Sequence, residues 1–292
     1  GTDENSTSCY VQDRSLLTTS DPDTGNGSGV ALVSSSGNGT WHYSLDGGST
    51  WTAVGTVSSD SALLLKSTDS IRYVPDAQNG ETATITFRAW DQTSGTAGNK
   101  VNTSTNGGTS EFSSNSQSAT ISLTSVNDAP TVTDTSPTIG TTDEDTTYTF
   151  SVSSFLSSSD VDTGAMSGIA LSAHSGNGTW HYSTDGESTW AVIGVVDTNS
   201  ALLLQSSGSL RYVPDGQNAE TAQITYRAWD QTSGTSCNKV DTTTNGGTTA
   251  FSSNTATASL TVTAVNDAPT ITSGAYSFPG TDENSTSSYV QV

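Results

Sequence analysis

The sequence predicts an all-β fold of tandem antiparallel β-sandwiches joined end to end, and three observations carry that expectation. The chain states one pattern twice: WHYS at Trp41 returns at Trp180, RYVPD at Arg72 returns at Arg211, RAWDQTSGT at Arg88 returns at Arg227, and VNDAPT at Val126 returns at Val265, each time 139 residues on. Ser, Thr, Gly and Asn dominate, only 7% of residues are aromatic, and no stretch spaces apolar residues at a helical period, so short strands joined by polar turns are expected. Where apolar residues recur, they alternate with polar ones, as in a strand that buries one face.

Repeat one occupies residues 1–130, repeat two 131–269, and 270–292 open a third, because TDENSTS at Thr2 to Ser8 reappears at Thr281 to Ser287. Trp41 and Tyr43 share one face of an early strand, and Ile85, Phe87 and Ala89 one face of a later strand. The closing strand of repeat two sets Ala258, Leu260, Val262 and Ala264 against Thr257, Ser259, Thr261 and Thr263. About seven or more strands per repeat, in two sheets closing on one core, is the simplest arrangement. The long polar segment from Asp91 to about Ser116, with NGG at Asn106 and again at Asn245, predicts a hairpin with an extended, exposed loop. Pro130 and Pro269 follow NDA and stiffen the connection to the next module. So faithful a duplication suits a unit used in series, a stalk or spacer, better than an enzyme.

With 8 basic against 29 acidic residues the net charge is −21. Phosphate backbones and anionic lipid surfaces would repel such a chain, so neither nucleic acid nor membrane is an expected partner. No apolar run approaches the roughly 18 residues that span a bilayer, and no charged-then-apolar leader opens the chain, so an export signal is expected outside this stretch. Cations are the natural partners. Most of the 29 acids fall within the recurring motifs or beside them. Grouped carboxylates repel unless a cation neutralises them. Oxygen ligands without His or Cys point to a hard ion, and irregular loops supply the larger coordination shell of calcium (Ca2+) more easily than the strict octahedron of magnesium.

DEN or DED near the start of a repeat (Asp3, Asp143), DPDTG or DVDTG further on (Asp21, Asp160), YVPD, AWD and the closing VNDAPT together resemble the calcium-binding cadherin-like repeats of giant bacterial surface adhesins, over essentially the whole of both repeats. The resemblance implies calcium between consecutive modules. Its ligands would be Glu4 and Asp76 from repeat one, Asn127 and Asp128 from the linker, and Asp160, Asp162 and Asp230 from repeat two. It also implies two half-sites: Asp21, Asp23 and Asp91 facing a preceding repeat, and Glu144, Asp215, Asn266 and Asp267 facing a following one. Gln78 and Gln217 stand where that family often has a further acid.

SLDGGSTW at Ser44 and STDGESTW at Ser183 resemble the Asp-box of sialidases and other carbohydrate-active proteins, which implies a structural hairpin remote from catalysis. No duplicated carboxylate pair comes with the Arg cluster or Tyr of a glycosidase, and His42, His174 and His181 suggest neither a triad nor a zinc site, so no enzyme is expected. Cys9 and Cys237 lie outside the repeated pattern, Cys9 five residues after Glu4 and Cys237 seven after Asp230. At about 3.3 Å per extended residue both would lie within about 20 Å of one junction, so they are either two free thiols or a disulfide stapling the repeats.

The expected function is that of non-enzymatic extender repeats in an extracellular bacterial adhesin or surface fibre, stiffened by calcium for cell adhesion or biofilm formation, with adjacent repeats of the same chain as partners. Two alternatives stand beside it. One is a carbohydrate-binding module of a secreted protein, with Trp90 and Trp229 or the Asn-Gly loop meeting a glycan or cell-surface ligand. The other is a filament subunit that self-associates through residues 270–292.

Overall fold

The computed structural model describes residues 2–6, 9–12, 27–272, 274, 280 and 282–286. It is nearly all-β. In the first half the strands are β1 (Thr2–Asp3), β2 (Cys9–Gln12), β3 (Gly29–Ser36), β4 (Thr40–Ser44), β5 (Thr52–Ala53), β6 (Ala62–Lys66), β7 (Ser70–Val74), β8 (Thr82–Trp90), β9 (Lys100–Val101) and β10 (Phe112–Thr124). The second half holds β11 (Thr131–Val132), β12 (Thr138–Asp143), β13 (Tyr148–Ser151), β14 (Ser158–Ser159), β15 (Gly168–Ser175), β16 (Thr179–Ser183), β17 (Ala191–Val192), β18 (Ala201–Gln205), β19 (Ser209–Val213), β20 (Glu220–Trp229), β21 (Lys239–Val240) and β22 (Ala256–Thr263). A short 3-10 turn, Val152–Ser154, follows β13.

Each sheet draws its strands from one repeat alone. The larger sheets run β1-β10-β8-β3-β6-β9 and β12-β22-β20-β15-β18-β21; the smaller ones run β2-β7-β4-β5 and β13-β19-β16-β17. The core of repeat two joins its six-stranded and four-stranded sheets, with Trp180, Leu210 and Tyr212 on one side and Ile169, Leu171, Leu202, Leu204, Ile224 and Leu260 on the other; β11 and β14 form a third, two-stranded sheet. Alternation along β22 predicts this for Ala258, Leu260 and Val262, which are buried, whereas Ala264, expected on the same face, lies past the end of the strand and is exposed.

One departure is in strand direction. The two larger sheets are mixed, because β1 pairs with β10 and β12 with β22 in parallel, Thr142 lying opposite Val262, while the smaller sheets are wholly antiparallel. Parallel neighbours need a long crossover, and here the strands between β1 and β10, and between β12 and β22, provide it.

A second departure concerns the segment after AWD. The strands that flank NGG do not pair with each other: β9 joins β6, and β10 joins β8 and β1. No hairpin forms, since Gly107 and Gly108 turn the chain with φ of 72° and 59° and Asn106 donates to the carbonyls of Thr103 and Ser104. The segment instead folds back over the outer face of the large sheet. There Trp90 and Phe112 pack on Ala31, Ala62 and Leu64, and Trp229 and Phe251 on Ala170, Ala201 and Leu203. This explains the unbroken ALLL of β6 and β18: the strand is covered on both faces, so alternation gives way to a continuous apolar run. Trp90 and Trp229 are only 2% exposed, each indole N–H donating to a carbonyl of its own loop, at Ser94 and Ser233. The expected sugar-contacting tryptophans are therefore core residues.

The two Asp-box turns are hairpin struts. Asp46 accepts hydrogen bonds from the Thr50 hydroxyl (2.6 Å), the Thr50 amide (2.8 Å) and the Ser44 hydroxyl (2.7 Å), and Asp185 repeats the set with Thr189 and Ser183. Trp51 and Trp190 lie under the guanidinium groups of Arg72 and Arg211, at 4.3 and 4.5 Å from ring centre. The Thr50 and Thr189 hydroxyls above all hold both carboxyl pKa values at about 2, against an ordinary 3.8. A lowered folded pKa means that the folded chain binds fewer protons, so this stabilisation is complete above about pH 4 and lost as pH falls through about 2. Asp46→Asn with Asp185→Asn is expected to flatten the acid limb of stability in that window. Urea melts at stepped pH check it; an acid limb as steep as the parent's would refute the assignment.

Candidate metal centre

The end of the first large sheet is built around a buried carboxylate. Glu4, 1% exposed, follows β1, and its Oε1 accepts the Val126 amide at 2.6 Å, tying the start of repeat one to the linker. Its Oε2 is buried without a partner. Two residues on, the Asp128 amide donates to Asp162 Oδ2 at 2.8 Å, across to repeat two, and Asp128 Oδ2 is likewise buried and unpartnered. Asp162 belongs to the loop after β14, whose turn is closed by the Asp162 amide on Asp160 Oδ1 at 2.9 Å, leaving Asp160 Oδ2 as a third buried orphan. Potential ligand oxygens of Glu4, Asp128 and Asp162 all lie within 4.8 Å of one another. Oxygens on opposite sides of one calcium ion are about 5 Å apart, twice the usual bond length, so the group has the dimension of a calcium shell.

The electrostatics agree. Burial, then the charges of Asp162 and Asp160, raise the pKa of Asp128; burial, with Asp162 and Asp230 adding to it, raises that of Asp160. The charges acting on either group are all negative. Buried carboxylate oxygens with neither donor nor cation are costly, and a hard cation is the chemistry that satisfies them.

Asp230 and Asn127 brace the group from behind. Asp230, 2% exposed, accepts the Thr232 amide and hydroxyl at 2.7 and 2.6 Å on Oδ1 and the Asn127 amide group at 3.0 Å on Oδ2. Asn127 Nδ2 also reaches the carbonyls of Thr248 and Thr249, and the Ala129 amide donates to the Gly247 carbonyl at 2.7 Å. The NGG loop of repeat two, expected as exposed decoration, is thus where the linker docks.

Of the seven residues expected at this junction, Glu4, Asp128 and Asp162 form the three-carboxylate group, Asp160 adjoins it, and Asp230 and Asn127 support it. Asp76 is not in that group; its charge acts on the Tyr73 hydroxyl. Among the expected half-sites, Glu144 repeats the Glu4 arrangement, buried, with Oε1 on the Val265 amide at 2.7 Å and Oε2 unpartnered. Asp215, Asn266 and Asp267 are exposed, and Asn266 bonds the Asp267 carbonyl as Asn127 does that of Asp128. Asp91 accepts the Thr93 amide and hydroxyl in the manner of Asp230. Asp21 and Asp23 lie outside the described residues, as does most of 270–292, although Asp282 closes the same turn, from the Ser285 amide, that Asp3 and Asp143 close.

Cys237 is a free, exposed thiol, so of the two alternatives the free thiol holds for this residue; the Cys9 side chain lies outside the described residues. The chain after Asp230 does not extend along the junction. It turns at Gly234 (φ 82°) and Cys237 (φ 71°), where the Cys237 amide meets the Leu203 carbonyl and its thiol faces the Thr184 hydroxyl at 3.3 Å.

Asn79 is a junction residue that the sequence reading missed. Its side chain bonds Val161 and Thr163 of repeat two. The available signal was its recurrence as Asn218 between neighbours that change, Ala77 to Gly216 and Gly80 to Ala219.

No family profile and no curated protein matches the chain. Among solved structures, similarity is found to an endo-fucoidan hydrolase of glycoside hydrolase family 107 (TM-score 0.28, 13% identity, 83% of this chain and 24% of that one). The CupB6 tip adhesin from Pseudomonas aeruginosa matches at TM-score 0.28 and 10% identity, over 83% of this chain and 87% of that one. Zebrafish RET cadherin-like domains 1 to 4 match at 0.25 and 12%, over 78% and 42%. The chain spans about a quarter of the hydrolase's length, and likeness at these scores carries no argument about activity. No helix among the described residues is long and apolar enough to cross a membrane.

Proposed function

We propose that this chain is a non-enzymatic, calcium-binding stretch of extender repeats in an extracellular bacterial adhesin or surface fibre, its junctions stiffened by the ion. The observation that carries the reading is the set of buried, partnerless oxygens on Glu4, Asp128 and Asp160, gathered beside Asp162 from repeat one, linker and repeat two. Calcium held there would neutralise a cluster whose charges are all of one sign. Glu4 holds the linker through Val126, Asp162 holds it through Asp128, and Asp230 fixes Asn127, so the groups that would bind the ion are those that set one repeat against the next. An ion that binds only this aligned arrangement shifts the population toward it, and binding energy becomes stiffness. Extracellular calcium is abundant enough for the weak, millimolar class of such sites.

Calorimetric titration of the chelator-stripped chain tests this. Heat of calcium binding is expected, with magnesium much weaker, together with a larger radius of gyration by X-ray scattering in millimolar calcium than in chelator. No binding heat at millimolar calcium would end the reading.

A further inference from the structure

We infer that Asn79 is a positioning residue, a metal-free latch that holds the Asp160–Asp162 loop of repeat two against repeat one before any ion arrives. The inference rests on the calcium reading only for its consequence; the latch itself is read from three hydrogen bonds. Asn79 Nδ2 donates to the Val161 carbonyl at 2.8 Å, and the Thr163 amide and hydroxyl donate to Asn79 Oδ1 at 2.8 and 2.9 Å. Val161 stands between Asp160 and Asp162, so the peptide segment being gripped is the one that carries both carboxylates. A primary amide offers a donor and an acceptor together and can pair with a carbonyl and an N–H of one loop, as a neighbouring strand would.

Asn79 is itself held firmly. The next residue's amide, on Gly80, donates to Ser125 Oγ at 2.8 Å, and the Leu123 amide donates to the Glu81 carbonyl at 2.8 Å. At Gly80 a Cβ would come within 2.5 Å of the Ser125 nitrogen, so the loop lies directly on the strand end leading to the linker. Asn79, Asn127, Asp162 and Thr163 then line one cleft of about 280 Å³ between the two repeats.

Both halves of the latch recur. Asn218 follows the second YVPD as Asn79 follows the first, and the DPDT at Asp21 to Thr24 matches the DVDT at Asp160 to Thr163. In sequence, each repeat therefore carries both partners of the pair. Because the bridge is neutral, it opposes the repulsion among the carboxylates without adding to it. Without the ion the latch still favours the registered contact, and the ion adds to that bias.

The test is amide hydrogen exchange at Thr163 in chelator, read beside calcium calorimetry, for the full chain and three variants. Asn79→Ala is expected to speed Thr163 exchange about tenfold and to weaken calcium binding about tenfold, the scale of one or two lost hydrogen bonds, while thermal unfolding of both repeats stays put. Thr163→Val, which removes one bond from the other side, should shift both in the same direction by less. Gln78→Ala, an exposed neighbour, should shift neither. Parent-like protection of the amide at position 163, corrected for the intrinsic rate of the residue there, in Asn79→Ala and in Thr163→Val overturns the latch whatever calcium does. Faster exchange in a chain that binds no calcium supports the latch and overturns the calcium reading instead.

Discussion

Asp162→Asn is expected to lower calcium affinity by roughly a hundredfold or more and, in chelator, to raise the melting temperature of the chain by roughly a few degrees. The two shifts have opposite signs because Asp162 has two roles. As a ligand it supplies a full negative charge to a site whose affinity depends on how many charges it musters. Without the ion the same charge acts on both Asp128 and Asp160 and helps push their pKa values up. Asparagine keeps an oxygen for the Asp128 amide, now met at 2.8 Å, and removes only the charge. Calorimetry and thermal melts of parent and variant, each with calcium and with chelator, provide the check. A variant destabilised under both conditions would make Asp162 a structural acceptor and nothing more.

Trp229→Ala is expected to cost repeat two about 3–5 kcal/mol, which for a unit of this size lowers its melting temperature by about 10–20 °C. The indole fills the outer cluster between Ala170, Leu203 and Phe251, and its N–H serves the Ser233 carbonyl at 2.7 Å. Truncation leaves a large void and an unpaired carbonyl together. Trp229→Phe should lose far less, since it keeps most of the apolar volume. The next residue is Asp230, which fixes Asn127, so calcium binding should weaken in the alanine variant as well. Scanning calorimetry reads the first effect; a repeat-two transition within about 3 °C of the parent would show that the outer cluster contributes little.

The all-β architecture was legible because apolar residues alternate with Thr and Arg in β8 and with Thr and Ser in β22, and one buried face leaves that signature. The outer cluster was not. A strand such as β6, covered on both faces, loses the alternation, and its cover is a loop whose Thr, Asn and Gly suggest exposure. At the junction, Glu4, Asp128 and Asp162 stood out because a recurring carboxylate is conspicuous in sequence. Asn79 did not, being one amide in a chain crowded with them, and its importance comes from meeting a backbone segment 82 residues away. For Cys237 the sequence left two alternatives open, because a residue count gives the greatest reach of a segment and not its direction, and left-handed turns at Gly234 and Cys237 set that direction.

The parallel pairing of β12 with β22 has a mechanical consequence. A strand near the start of the repeat and its closing strand lie side by side in the same direction, Thr141 opposite Thr261 and Asp143 opposite Thr263. Tension applied at the two ends drags them lengthwise past each other, so all the cross-strand bonds of the pair bear load at once. An antiparallel arrangement at the same place would open like a zip, one rung at a time. The geometry that joins one repeat to the next therefore also suits each repeat to being pulled.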